Sequence, residues 1–319
     1  QPRAAMEQLQ RQVNVATGRE VLLIGEGWNF GEVANGARFV QASQLSLNGS
    51  GIGTFSDRAR DHVRGGSGFD GGVSLLRNQG YINGMHYDDN GSGGNKSRND
   101  LMWSADVIKV GLAGSIRDYV MTTHWDATLR LEQIDYNGQP AGYVVDPQEV
   151  VNYVENHDNW TLFDNNAFKL PTATSREDRA RVQILGAAIN SFSQGVSYFH
   201  AGIDTLRSKS LDRNSYDSGD WFNRIDWSYR DNGYAAGLPP QGDNGGNWSV
   251  MGPLLANAEV KPTETETRWT RDAFRDLMKI RASSRLFRLR TAAEIKHRLT
   301  SRNTGSARVA PVPPAHPDG

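Results

Sequence analysis

Short continuous apolar runs alternate with stretches of helical period along most of this chain. Ala5, Met6, Leu9 and Val13 stand at helical spacing, and Val21-Leu22-Leu23-Ile24 then runs straight into Gly25. A short unbroken apolar run closed by glycine is the pattern of a strand buried on both faces. The pairing returns downstream. Val150-Val151-Asn152-Tyr153-Val154 is a second such strand, Asp178–Phe192 is a strongly periodic helix, and Val196-Ser197-Tyr198-Phe199 is a third buried strand. Ile52-Gly53-Thr54-Phe55 gives a weaker strand signal because glycines interrupt it. A later helix carries Phe274, Leu277, Met278 and Ile280 on its apolar face. Strands separated by helices predict a parallel sheet joined by right-handed crossovers, an α/β fold.

Glycine changes the picture of the connections. The chain holds 34 glycines in 319 residues, about 11% against an ordinary ~7%. The glycine- and asparagine-rich excursions Gly65–Asn99 and Ser208–Trp248 are long enough to be functional loops. Toward the end, Pro311, Pro313, Pro314 and Pro317 predict a disordered tail over Val309–Gly319. Charge excludes some partners: 35 basic and 36 acidic residues leave a net −1, no surplus for nucleic acid or an anionic membrane. There are no cysteines, so disulfides, thiolate metal sites and cysteine nucleophiles are out, while the compartment stays open. No apolar run approaches the ~20 residues of a membrane helix. The chain starts at Gln1, without an initiator Met or a signal-peptide pattern, and enters a helix at once. That reads as part of a longer protein.

Polar residues at the carboxyl ends of buried parallel strands are where ligands bind in α/β sheets and barrels. Glu26 and Asp158 hold such places, with Trp28 and Phe30 after the first and His157, Asn159 and Trp160 around the second. Flat rings stack on sugar faces, His and Asn bond hydroxyls, and paired carboxylates are what glycoside hydrolysis requires. The same two carboxylates would equally serve to cap the following helices. Other signals are weaker. Gly66–Gly71 fits a dinucleotide pattern without the strand and helix that would give it meaning. The Asp88–Ser92 loop has a calcium-like start but lacks the closing Glu. The histidines lack metal spacing, and Asp57 with Arg58 suits a structural ion pair.

Five stretches then identify a family. Gly25-Glu26-Gly27-Trp28-Asn29-Phe30-Gly31-Glu32-Val33 and Tyr153-Val154-Glu155-Asn156-His157-Asp158-Asn159 resemble the third and fourth signature regions of pullulanase and limit-dextrinase type α-1,6-glucosidases of the α-amylase superfamily. Gly51–Arg58, Ile134–Gly138 and Ser210–Asn223, with its Ser218-Gly219-Asp220-Trp221-Phe222-Asn223, are similar too, and all five fall in the family's order. The resemblance implies Glu26 as general acid/base on the fifth strand of a (β/α)8 TIM-type barrel. It implies Asp158 as the transition-state-stabilising carboxylate of the seventh, His157 bonding the sugar beside the scissile bond, and Asn159 as a further substrate-binding residue. Trp28, Phe30 and Phe69 then line the acceptor side of the cleft and Arg213 the glycone side. The implied substrate is the α-1,6 branch of pullulan, amylopectin limit dextrins or glycogen. The chemistry requires no cofactor, the whole enzyme has room for a structural calcium, and the partner is an α-glucan polysaccharide or oligosaccharide.

One element of the family is missing: nothing resembles the Phe-Arg-Phe-Asp segment that carries the nucleophile, since Gly68-Phe69-Asp70 follows the acid strand. Residues 1–285 are therefore expected to be the C-terminal half of the barrel, about strands five to eight. Residues 286–319 are expected to begin a C-terminal β-sandwich, and the isolated chain to be inactive. A non-catalytic glucan-binding remnant, or a superfamily member acting on α-1,4 links, is the alternative.

Overall fold

The computed structural model describes residues 1–301. Four strands, β1 (Ile24–Gly25), β2 (Gly53–Phe55), β3 (Val150–Asn152) and β4 (Val196–Ser197), form one sheet in that spatial order, and every neighbouring pair is parallel. Spatial order equals chain order, so each strand reaches the next by a crossover on the way back. Helices α2 (Asp57–Arg64) and α3 (Arg98–Leu112) lie between β2 and β3, and α4 (Leu162–Lys169) and α5 (Arg176–Phe192) between β3 and β4. Helix α1 (Arg3–Thr17) precedes the sheet, while α6 (Glu264–Ser283) and α7 (Ala292–Arg298) follow it. The chain is α/β with a parallel sheet.

Helix starts follow from their first polar residues. Ser97 and Asp100 bond each other's backbone N–H at the head of α3, and Thr263 and Glu266 do so at α6. Such caps satisfy N–H groups that have no partner inside the helix. The helix expected from Asp178 begins at Arg176, because the Ser175 hydroxyl accepts from the Asp178 N–H. Phe274 and Leu277 of α6 pack against Phe199 and the α5 face, whereas Ile280, expected on the same face, is 45% exposed because it lies near the end of the helix beyond that contact.

The strands depart from expectation in an informative way. β2, the one weakened by glycine, is central and wholly buried. A Cβ at Gly53 would sit 2.9 Å from the Gln148 carbonyl oxygen and 3.0 Å from Ile24 Cγ2. The glycine that blurs the pattern is what lets β1 and β3 approach. The run ending in β1 is not buried on both faces: Leu22 is 42% exposed and Ile24 45%, because among the described residues β1 pairs only with β2. β4, at the other edge, is half-buried for the same reason. Val150 and Val151 of β3 are fully buried, as the unbroken run predicts.

The described part of 286–319 forms helix α7, capped by Thr291 on the Glu294 N–H. It holds no strand, since Leu289, Ala292, Ile295 and Leu299 pack at helical spacing into a cluster with Val107, Ile116, Leu131 and Val150. The tail from Val309 lies outside the described residues. No helix among the described residues is long and apolar enough to cross a membrane.

Helices α2 and α3 approach closely at Gly111, where an added Cβ would stand 2.6 Å from the Ala59 Cβ of α2. We expect Gly111→Val to lower the unfolding free energy by about 1–3 kcal/mol through overpacking. Urea denaturation reads this directly, and an unchanged midpoint would show that α2 can shift away from α3.

Candidate active site

Beyond the carboxyl ends of β1, β2 and β3 opens a cleft of about 1200 Å³. Glu26, Trp28, Phe30, Phe69, Asp158, Asn159 and Arg213 all line it. The parallel register explains the meeting of Glu26 and Asp158, which lie 132 positions apart in the chain. β1 and β3 flank the same central strand and point the same way, so their carboxyl ends open on one side. His157 is not among the lining residues; it is exposed, and its backbone carbonyl accepts from Lys209 Nζ at 3.0 Å.

Each wall has a local cause. Directly after Glu26 the backbone turns at Gly27, with φ +72°, and a Cβ there would lie 2.6 Å from Thr54 Cγ2. Only glycine combines that conformation with that approach. The Gly27 carbonyl then accepts from the Gln44 N–H at 2.8 Å. Gln44 in turn donates to the Phe55 carbonyl at 2.6 Å and accepts from Arg58. Arg58 is fully buried, pairs with Asp57 at 2.6 Å and stacks over Tyr143, so this ion pair has the structural place its sequence position suggests. Trp28 packs against Phe55 and Tyr153. Phe30 and Phe69 are 62% and 91% exposed on the rim. Arg213 fastens that rim by donating to the Gly68 carbonyl at 3.1 Å.

Two lining residues had no sequence signal as ligands, Asp57 and Arg60. They stand at i and i+3 in the first turn of α2, at the carboxyl end of β2, and that spacing puts both on one face. Arg60 lies near the Trp28 ring, 5.9 Å from its centroid, and bonds both Asp61 and the Tyr153 hydroxyl. Burial pushes the Tyr153 hydroxyl up to about 12, with Arg60 and Arg64 pulling the other way, so it remains protonated over the neutral range.

The Asp88–Ser92 loop is organised by its own backbone contacts. The Asn90 amide is engaged by the Leu76 and Lys169 carbonyls, and no group of three or more His, Cys, Asp or Glu side chains among the described residues can hold a metal.

With this geometry in place, comparison with known proteins is decisive for kinship. The description "Alpha-1,6-glucosidases, pullulanase-type, C-terminal" matches residues 229–312. The chloroplastic pullulanase 1 of Arabidopsis thaliana is 42% identical over 96% of this chain and 32% of its own length. Nearly all of this chain is therefore similar to part of a pullulanase. A pullulanase of Klebsiella aerogenes is 40% identical, over 91% of this chain and 26% of its own. The solved pullulanase of Klebsiella pneumoniae in complex with maltotriose superposes with a TM-score of 0.91 at 39% identity, covering 96% of this chain and 32% of that one. A Paenibacillus barengoltzii pullulanase superposes less closely, with a TM-score of 0.64 at 25% identity over 95% of this chain and 35% of that one. The chain thus spans about a third or less of the pullulanases it matches.

Behind the cleft sits Asp164 of α4, wholly buried. Burial pushes its carboxyl up to about 6, against the hydrogen bonds from Ser208 and the Lys209 N–H. The folded state therefore holds this proton to higher pH than the unfolded chain. The resulting stability is complete below about pH 4 and is lost as pH rises through about 6. We expect Asp164→Asn to remove that fall, so the difference in melting temperature between wild type and variant should change across pH 4–6 and level off above it. A constant difference would show that Asp164 does not titrate there.

Proposed function

We propose that this chain supplies the acid/base and one stabilising carboxylate of a retaining glycoside hydrolase that cleaves α-1,6 branches in α-glucans. The observation that carries the reading is the convergence of Glu26 and Asp158, from two strands of one parallel sheet, in a cleft with Trp28, Phe30 and Phe69. Four parallel strands in chain order fit the second half of a (β/α)8 barrel. In this reading residues 1–285 are that half and residues 286–319 lead into a C-terminal β domain. The maltotriose complex of the related Klebsiella pneumoniae pullulanase supports an α-glucan as ligand.

Glu26 is solvent-exposed at the end of β1, a place from which a protonated carboxyl can reach the leaving glycosidic oxygen. As the bond breaks, positive charge grows on the sugar ring, and the Asp158 carboxylate stabilises it. Trp28, Phe30 and Phe69 offer flat faces to the acceptor sugars, while Asn159 and Arg213 bond hydroxyls on the other side; His157, which does not line the cleft, has no sugar contact in this reading. Retention needs a further carboxylate as nucleophile, about 5–5.5 Å from the acid. The remaining lining carboxylates are engaged: Asp57 pairs with Arg58, and Asp243 accepts from Asn214 at 3.1 Å. The reading gives neither of them that role, and the nucleophile falls to a segment resembling Phe-Arg-Phe-Asp.

A chimera tests this. The 319 residues alone should release no reducing ends from pullulan. Grafted in place of the matching third of Klebsiella pneumoniae pullulanase, they should restore hydrolysis. In the chimera, Glu26→Gln should lower pullulan turnover about 10²–10⁴-fold yet largely spare an α-glucosyl fluoride, whose leaving group needs no proton. Asp158→Asn should slow both substrates alike. A folded chimera without activity would favour a non-catalytic glucan-binding role, and equal damage to both substrates by Glu26→Gln would overturn its assignment as acid.

A further inference from the structure

The turn that carries Asp158 is fixed at both ends and nearly free in the middle. At one end, the Glu155 carboxylate accepts from the Leu162 N–H and from His200 Nδ1, and Asn156 accepts from the Tyr198 hydroxyl at 2.9 Å. At the other, the Trp160 indole donates to the Leu211 carbonyl at 3.0 Å, and Arg64 donates to the Trp160 carbonyl. Between them, Asp158 has one hydrogen bond, from its neighbour Asn159 at 3.3 Å. Asn159 itself takes a left-handed φ of +58°, a conformation that asparagine tolerates better than other non-glycine residues.

Among the described residues, one hydrogen bond reaches positions 157–159 from outside them. It is the one from Lys209 Nζ to the His157 carbonyl, at 3.0 Å. Lys209 is 1% exposed, and no mobile surface lysine would be so placed. Its own backbone is held in turn: its N–H donates to Asp164 at 2.8 Å, and the next residues, Ser210 and Leu211, take left-handed φ values of +52° and +65°. Asp164, Asp212 and Glu155 face the ammonium with negative charge and Arg207 with positive charge. Burying an ammonium is expensive without partners, and this one donates to the carbonyl directly before Asp158.

We propose that Lys209 is a positioning residue for Asp158: its ammonium pins the His157 carbonyl and thereby sets where the following carboxylate stands in the cleft. This rests on the reading that Asp158 faces a glucan there. Lys209 is not itself among the residues lining the cleft, so it acts through the backbone rather than on the sugar.

The test uses the whole chain, Lys209→Met and Lys209→Arg, with two separate readouts. The first is the backbone order parameter at Asp158 and Asn159 from NMR relaxation. It should be near 0.85 in wild type and fall below about 0.6 in Lys209→Met, with Val151 unchanged, and Lys209→Arg should restore it in part. The second is titration with maltotriose, whose affinity should weaken about tenfold in Lys209→Met, the worth of one charge-assisted hydrogen bond. Rigid Asp158 and Asn159 in a folded Lys209→Met would overturn the proposal. Loosening of the turn in a protein whose wild type does not bind maltotriose would support the anchoring and overturn the glucan reading instead. Should Lys209→Met fail to fold, wild type decides. Its Lys209 ammonium should give a slowly exchanging signal coupled to the His157 carbonyl carbon, and a freely averaging ammonium without that coupling would count against the proposal.

Discussion

Buried cations hold the loops of this protein where its strands cannot. The four parallel strands are two or three residues long, too short to fix connections that run to 94 residues between Phe55 and Val150. Arg58, Arg64, Lys169 and Lys209 are each 2% exposed or less. Each donates to backbone carbonyls far away in sequence: Pro140 for Arg58, Val154 and Trp160 for Arg64, Leu75 for Lys169 and His157 for Lys209. A loop carbonyl is a weak ligand alone, but a buried ammonium or guanidinium has few other places to go. The high cost of leaving such a charge unpaired makes the geometry specific even where its net stabilisation is small.

The same device explains why burial and charge coexist beside the cleft. Burial lowers Lys169 to about 8, opposed by Asp70 and Asp61, and lowers Lys209, opposed by Asp164 and Asp212. Carboxylates are thus set near each cation without being consumed by it, since the ammonium hydrogens point at carbonyls. Asp158 and Glu26 stay outside these networks. Asp57 belongs to both the wall charges and the cleft charges, since it lines the cleft and pairs with the buried Arg58.

Much of the fold is legible in sequence because it depends on periodicity. Strand β3 and the Phe274–Leu277 stripe of α6 follow directly from where their apolar residues fall, but α5 buries Gln183, Gly186, Ala187 and Asn190 while Leu185 is 45% exposed, so its buried face is not simply its most apolar one. The strand-end position of Glu26 and Asp158 also suffices to bring them into one cleft, whatever their roles. Two things resist such a reading. Gly53 looks like an interruption, yet it is the close approach on which the central strand depends, and an apolar run such as Leu22–Ile24 says nothing of whether a neighbour covers it. Buried cations are harder still. Arg60, Arg64 and Lys209 look like any solvated basic residue, because their burial is decided by loops whose course no local pattern encodes.

The contrast between floor and rim has an energetic consequence. Asp158 sits on a turn tied down from three sides, and Trp28 packs against Phe55 and Tyr153. Phe30 and Phe69, by contrast, leave most of their rings in water. The Phe69 loop is fastened chiefly through its backbone, by Arg213 on the Gly68 carbonyl and by Ser67 on its own N–H. Burying an aromatic ring is worth roughly 1.5–3 kcal/mol, and these rings gain that only when something flat covers them. A ligand that merely touched the carboxylates would leave this free energy unused. One that lays a ring along the rim gains it without moving the floor, so the arrangement favours extended, flat-faced ligands over small polar ones before any hydroxyl is bonded.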